Sequence, residues 1–362
     1  VEAAPVRCMA DRMWWIAAVK VMPWWLARAV WSCFRCRYRR TFESYDDWMA
    51  SQAVPGARNW RMQEGDWGGG DVPAVVGACV TRHYMEGTST VASDAVRRMC
   101  GKVKDKGGSV VVECPVTRIV TSGGTVVGVE CTPRGGGSRI VRAHVVVSAV
   151  GALNTCRLVE LPHLERVARE IGNSCGHVSV FIGLRGSRAD AGLPSGTIWI
   201  RKGGEYAFVS TREHEHDGNG VLTSVHVISE CPYVARSASD YDIFKAHRTS
   251  RLLDLFYSEF PRARRHQDIV TAGTPATTER FIGSAASYGL ACTRRRFDNY
   301  RSVRTLRPET GVRGLFLTGQ DILMMGIASA LSTALMTCRQ VMGITVFDTL
   351  RGNDVLDRIK KN

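Results

Sequence analysis

Nowhere in the 362 residues does a buried strand run into a G-x-G-x-x-G turn and then a helix. That absence removes the usual cradle for a dinucleotide pyrophosphate, where glycines admit the phosphates to a helix N-terminus. Trp67 to Gly70 is no substitute, because no buried strand precedes it and Asp71, Val72 and Pro73 continue a helix poorly. Cys33 and Cys36 have the spacing of a zinc knuckle, but no second pair answers them, and no metal site is expected. His214, Glu215 and His216 stand beside Asp217, Gly218, Asn219 and Gly220, and read as a solvated hairpin tip rather than a ligand set. The apolar stretch from Met13 to Trp31 is interrupted by charge and falls short of the roughly 20 apolar residues of a transmembrane helix. There is no internal repeat and no N-terminal signal peptide, and the Val1 start is read as that of a sequence lacking an upstream portion. Acidic residues are in deficit: 34 against 48 basic ones leaves a formal charge of +14. The basic residues are dispersed apart from short runs at 35–40, 262–265 and 294–296, without a recognition helix or an aromatic RNA-binding signature. A nucleic-acid partner is therefore not expected.

What is present is the composition of a folded protein, 44% hydrophobic and 23% charged, long enough for two or three structural units. Twelve scattered cysteines read as reduced thiols of a cytosol-facing protein. Eight of nine tryptophans precede residue 68. The stretch from Met13 to Trp31 is apolar on nearly all faces but carries Lys20, Pro23 and Arg28. Tryptophans flanked by arginines favour a membrane–water interface. Two buried helices joined at Pro23 and walling an apolar pocket are the other reading, and the two are compatible.

Farther on, periodicity predicts a helix over 71–84 and an amphipathic helix over 88–106 with Val91, Ala95, Val96, Met99 and Val103 on one side, ended by Gly107 and Gly108. Strands are predicted at 109–112, 116–120, 126–131 and 140–141, with glycine turns between. Ala143 to Gly151 is a near-continuous β-branched run, as in a fully buried strand. Strands at 178–184, 197–200, 206–209 and 222–228 followed by a long helix over 240–260 form a sheet with a covering helix.

The most informative stretch lies near the C-terminus. The apolar residues Leu315, Phe316 and Leu317 break at Thr318 and Gly319, offer a carboxylate at Asp321, and lead to a helix of mainly small residues from about Ile327 to Leu335. A strand, a glycine turn and a helix N-terminus can together hold an electron-rich or anionic group. For Asp321 a helix cap is the plainer role, and for the small-residue helix it is tight packing.

In order and spacing, His83 to Gly87, Gly107 to Val116, Val145 to Thr155, Phe181 to Gly186, Thr271 to Pro275 and Leu315 to Ile322 resemble the flavin-dependent family of phytoene desaturases, carotenoid isomerases and retinol saturases, over roughly residues 70–362. The resemblance implies an α/β, amine-oxidase-like two-domain fold lacking its N-terminal Rossmann βαβ unit. It implies a Trp-rich helical region at 1–84, a flavin-domain portion at 85–175, a substrate domain at 176–300, a flavin-domain return at 301–345 and a tail at 346–362. It also implies FAD as cofactor, with NAD(P)H a possible electron donor. Gly319, Gln320 and Asp321 would lie by the ribityl and pyrophosphate region. Gly326, Ile327 and Ala328 would point a helix N-terminus at the isoalloxazine, and Ser148, Ala149 and Gly151 would pass close to the cofactor. No acid or base residue is identified.

The implied reaction is saturation of a C=C bond in an apolar isoprenoid, retinol first, with isomerisation or desaturation of a carotenoid as the alternative. The implied location is the cytosolic side of the endoplasmic reticulum membrane. The sequence departs from the family twice, in the missing glycine fingerprint and in a shorter loop at 87–93 that lacks a glycine pair. Either an upstream portion is absent or the chain has become a non-catalytic lipid- or membrane-binding remnant.

Overall fold

The computed structural model describes residues 3–52, 71–86, 92–216, 220–231 and 238–343. The clusters at 67–70, 87–91 and 217–219, and the whole tail at 346–362, lie outside these residues. The first helices are α1 (Ala3–Asp11), α2 (Met13–Val21), α3 (Trp24–Arg37), α4 (Tyr45–Ser51), α5 (Ala74–Glu86) and α6 (Ala92–Asp105). Then come β1 (Val116–Ser122), β2 (Thr125–Cys131), β3 (Arg139–Arg142), β4 (Val146–Ser148), α7 (Ala152–Leu158) and α8 (Pro162–Ile171). The next group is β5 (Gly176–Arg185), β6 (Thr197–Lys202), β7 (Glu205–His216), β8 (Gly220–Cys231), α9 (Ala238–Glu259), β9 (Gln267–Gly273) and α10 (Pro275–Ile282). The chain closes with α11 (Arg294–Phe297), α12 (Tyr300–Thr305), β10 (Leu315–Leu317) and α13 (Ile327–Met342). Two compact units result, one from 1–64, 68–172 and 290–362, the other from 65–67 and 173–289.

In the first unit, α2 and α3 meet at Pro23, whose fixed φ of −53° starts the second helix. Their inner faces bury Ile16, Val19, Trp31 and Phe34, while Trp14, Trp15, Trp24 and Trp25 stay on the outside. Lys20 is buried too. Its ammonium donates to the carbonyls of Val303 (3.0 Å) and Leu306 (2.6 Å), and burial holds its pKa well below the ordinary lysine value. No described helix is long and apolar enough to cross a membrane.

The three antiparallel strands β1, β2 and β3 form one small sheet, with Gly123 and Gly124 at positive φ in the first hairpin turn. β4 and β10 form a separate parallel pair. Two expectations fail here. Residues 109–112 are not a paired strand, and Val110, Val111 and Val112 are exposed. The run from Ala143 to Gly151 contributes only three strand residues, with Val145, Val147 and Val150 exposed. β-branched side chains favour extended backbone, but burial needs a neighbour, and among the described residues β4 has none on its second edge. Val96, Met99 and Val103 of α6 are likewise uncovered.

The second unit is a five-stranded sheet in the order β6-β7-β8-β5-β9, antiparallel throughout. Strand alternation sends Val178, Val180, Ile182, Leu184, Val209, Val225 and Val227 to one face, where Leu252 and Phe256 of α9 complete the core. Each such side chain contributes about 1.5–3 kcal/mol when fully buried.

Candidate functional site

β4 and β10 run parallel with Val146 opposite Leu315 and Ser148 opposite Leu317, so both strands end at the same level. Ligands of α/β sheets bind beyond the carboxyl ends of parallel strands. The chain leaves β4 through exposed Ala149 and Val150 and turns at Gly151 (φ 91°) into α7. It leaves β10 through Thr318 and Gly319 (φ 92°). Thr318 N–H donates to the Ser148 carbonyl (2.9 Å), and a Cβ on Gly319 would lie 3.9 Å from the Ala149 carbonyl oxygen, so the two exits are in contact.

Asp321 lies beneath this surface, 5% exposed. Its Oδ2 accepts from Ala152 N–H and its Oδ1 from Leu290 N–H, both at 2.8 Å. The carboxylate thus caps α7 rather than the helix that follows it in sequence, and ties three segments together. A Cβ on Gly151 would come within 3.0 Å of Oδ2, which together with the positive φ explains the glycine. Arg296, also buried, donates to the carbonyls of Leu290 and Gln320, both at 2.8 Å, and secures the same loop from the other side. The sequence flagged Arg296 only as part of a basic run. Its Leu290–Arg296–Phe297 surroundings carry no local signal for burial.

The helix expected after the glycine turn is α13, starting behind Gly326 (φ 94°). The Gln320 side-chain oxygen lies 3.5 Å from Gly326 N. Hydroxyls at a spacing of four dock the inner face. Ser329 accepts from Met324 N–H (2.9 Å), Thr333 accepts from Gly319 N–H (3.1 Å) and Thr337 donates to the Leu317 carbonyl (2.9 Å). The sequence reading saw small residues there and missed this ladder, although the spacing of 329, 333 and 337 is legible. Ile327 and Ala328 are exposed, and the first N–H groups of any helix have no intrahelical partner.

All nine expected residues therefore belong to one region. Ser148 and Asp321 form its floor, Gly151, Gly319, Gln320 and Gly326 its turns, and Ala149, Ile327 and Ala328 its open surface. Thr318 Oγ1 is buried there without a hydrogen-bond partner among the described residues.

In the second unit, the sheet face opposite α9 is half open and aromatic. Phe181 stacks on His226 with centroids 4.3 Å apart, and Trp199 meets Phe208 edge-on at 5.1 Å. Burial pushes His226 down to about 4, leaving it neutral at pH 7. Phe181, Trp199 and Ile269 are exposed on this face.

Residues 74–174 match the GMC oxidoreductase family. All-trans-retinol 13,14-reductase of Danio rerio is 26% identical over 313 residues, 73% of this chain and 51% of that protein. The Homo sapiens protein of the same name is 24% identical over 335 residues, 78% and 54% respectively. The chain thus spans about half the length of the curated relatives it matches. A redesigned triple mutant of putrescine oxidase superposes with a TM-score of 0.57 at 15% identity, covering 92% of this chain and 73% of that one. In sequence the chain is similar to the all-trans-retinol 13,14-reductases, and its mixed α/β fold is similar to that of putrescine oxidase.

Proposed function

We propose that this chain contributes the ring-facing part of an FAD site, and an apolar substrate face, to an oxidoreductase that saturates a C=C bond of an isoprenoid alcohol, all-trans-retinol first. The observation that carries this is the surface where β4, β10 and α13 end together. Its turns are glycines, its floor is clamped by Asp321 and Arg296, and its helix terminus is open. The residues fit a flavin there: Thr318 Oγ1 is an unfilled polar position, and Ala149 to Gly151 and Gly319 leave the backbone approachable. When bound, a flavin supplies hydride chemistry, and its reduced ring carries charge suited to a helix N-terminus.

The chain's own residues do the positioning. The Ser329, Thr333 and Thr337 hydroxyls set the α13 terminus, while Asp321 sets the turn at Gly151. Asp321 acts through the backbone it holds, since both its oxygens already accept N–H groups. The aromatic face of the five-stranded sheet, with neutral His226, suits a polyene better than a charged substrate. Phosphate binding is left to a strand–glycine–helix unit from outside this sequence, and the exposed edge of β4 with Val110 to Val112 is the surface such a unit would cover. NAD(P)H is the proposed source of electrons.

Trp14, Trp15, Trp24 and Trp25 form the proposed contact with the cytosolic face of the endoplasmic reticulum membrane, where an apolar substrate dissolves. Replacing the exposed Trp14, Trp15, Trp24 and Trp25 with serine, which leaves the buried Ile16, Val19 and Trp31 in place, is expected to move the protein from the membrane pellet to the supernatant; persistence of the folded variant on membranes would sink the contact.

The missing glycine fingerprint favours one second reading, a lipid-binding protein without flavin. Expression with and without flanking genomic sequence separates the two. Flavin absorbance is expected to co-purify with the extended form and to fall with Asp321→Ala. An extended form that purifies colourless would support the flavin-free reading.

A further inference from the structure

The antiparallel register of the second unit places His177 of β5 opposite Glu230 of β8. On the far side of β8, the β7 register puts Tyr206 opposite the same Glu230, since Phe208 pairs with Ile228 two residues away. Directly opposed residues share a face, and Cys175, two residues before His177, falls on that face as well. The Cys175 thiol lies 3.0 Å from Glu230 Oε1 and its sulfur 3.8 Å from His177 Nε2. Tyr206 donates its hydroxyl to Glu230 Oε2 at 2.7 Å. Among the described residues this is the one set of three Cys, His, Asp or Glu side chains whose ligand atoms all lie within 4.8 Å of one another.

We propose that Cys175, His177 and Glu230 form a zinc site with three protein ligands and a fourth position for water. The chemistry of the set is that of zinc: one thiolate, one imidazole and one carboxylate are the donors this ion combines in tetrahedral geometry. Zinc–ligand bonds of about 2.0–2.3 Å put tetrahedral donor atoms roughly 3.3–3.6 Å apart. The two separations from the Cys175 sulfur, 3.0 and 3.8 Å, bracket that range, and all three donor atoms lie within 4.8 Å of one another.

The surroundings are built to hold the ligands in place. Gly176, between the two β5-side ligands, has no room for a Cβ, which would come within 2.7 Å of Pro275 and 3.0 Å of the Ala285 carbonyl. The Cys175 carbonyl accepts from Ser287 N–H (3.1 Å), and Tyr288 meets the His177 ring edge-on at 5.2 Å. His177 Nδ1 is buried with no hydrogen-bond partner among the described residues. Tyr206 is the outer partner that orients the carboxylate. On binding, the thiol proton now shared with Glu230 leaves to solvent, a thiolate–zinc bond forms, and no redox partner is needed.

The test is cobalt titration of the full chain, stripped of metal, with zinc added afterwards. Tetrahedral cobalt with one thiolate gives visible d–d bands and a near-ultraviolet charge-transfer band, both expected to saturate at one ion per chain and to vanish when zinc displaces it. Cys175→Ser and His177→Ala are each expected to abolish the bands. Replacing both Cys33 and Cys36 with serine is expected to leave them unchanged. Tyr206→Phe keeps every ligand and is expected to weaken binding about 10- to 100-fold, a readout that survives if the ligand variants misfold. Absence of the bands in the native chain, their persistence in Cys175→Ser, or their loss in the Cys33 and Cys36 variant would overturn the site.

Discussion

The two sheets of this molecule are built to different degrees of completeness. The five-stranded sheet pairs each strand, fills one face with α9, and buries Val178, Val180, Val225 and Phe256 almost fully. The β4–β10 pair consists of two three-residue strands, and the side chain of Val147 in its midst is 46% exposed. Yet the β-branched run at 143–151 is the more hydrophobic stretch on paper. Hydrophobicity states what a strand could bury, whereas pairing partners decide whether it does.

Matched truncations would break this comparison most sharply. Phe256→Ala is expected to cost about 3–5 kcal/mol in denaturant unfolding, while Val147→Ala should stay within about 0.5 kcal/mol. Equal losses would mean that the small pair is as well packed as the large sheet. Next in size is the polar clamp that holds the small pair to its surroundings. Asp321→Asn keeps the shape but turns an amide toward one of two buried N–H donors, with an expected cost of about 1–3 kcal/mol. A neutral result would reduce the carboxylate to a dispensable cap.

The smallest effect is one of pH. Burial depresses the Lys20 pKa below its ordinary value of 10.5, so between the folded value and 10.5 the unfolded chain binds the proton and the folded chain does not. Stability contributed at this position therefore rises with pH across that window, and the cost of a buried ammonium is fully present below the folded value. Subtracting the Lys20→Met melting-temperature profile from that of the native chain isolates this slope. A flat difference between the two profiles would mean that the ammonium is solvated or paired.

Much of the fold was legible because local rules and tertiary context agree. The glycine pair at 123–124 sits in its hairpin, the helix at α9 follows its pattern, and Leu315 to Leu317 form a strand that breaks at Gly319. The region around Asp321 was also legible, since small residues at a strand end leave few physical alternatives. The partners of Asp321 were not. They are backbone groups at 152 and 290, and no side chain at those positions signals the contact.

The arginine run at 294–296 misleads in the same way. Arg294 pairs with Asp71, Arg295 reaches the Glu170 carbonyl at 2.7 Å, and Arg296 is buried. Equally hidden was the Cys175 cluster, because its third member is 55 residues away and joins only through strand register. Spacing rules for metal sites find ligands close in sequence and are blind to this arrangement.

The most direct test of a flavin site completed from outside this sequence is amide hydrogen exchange across 143–151, in the chain alone and in a flavin-loaded form with flanking sequence. Exchange at Val145, Val147 and Val150 is expected to be fast in the chain alone and strongly slowed in the loaded form, with β5 and β8 protected in both. Flavin bound with those three amides still exchanging fast would contradict the assignment of this edge.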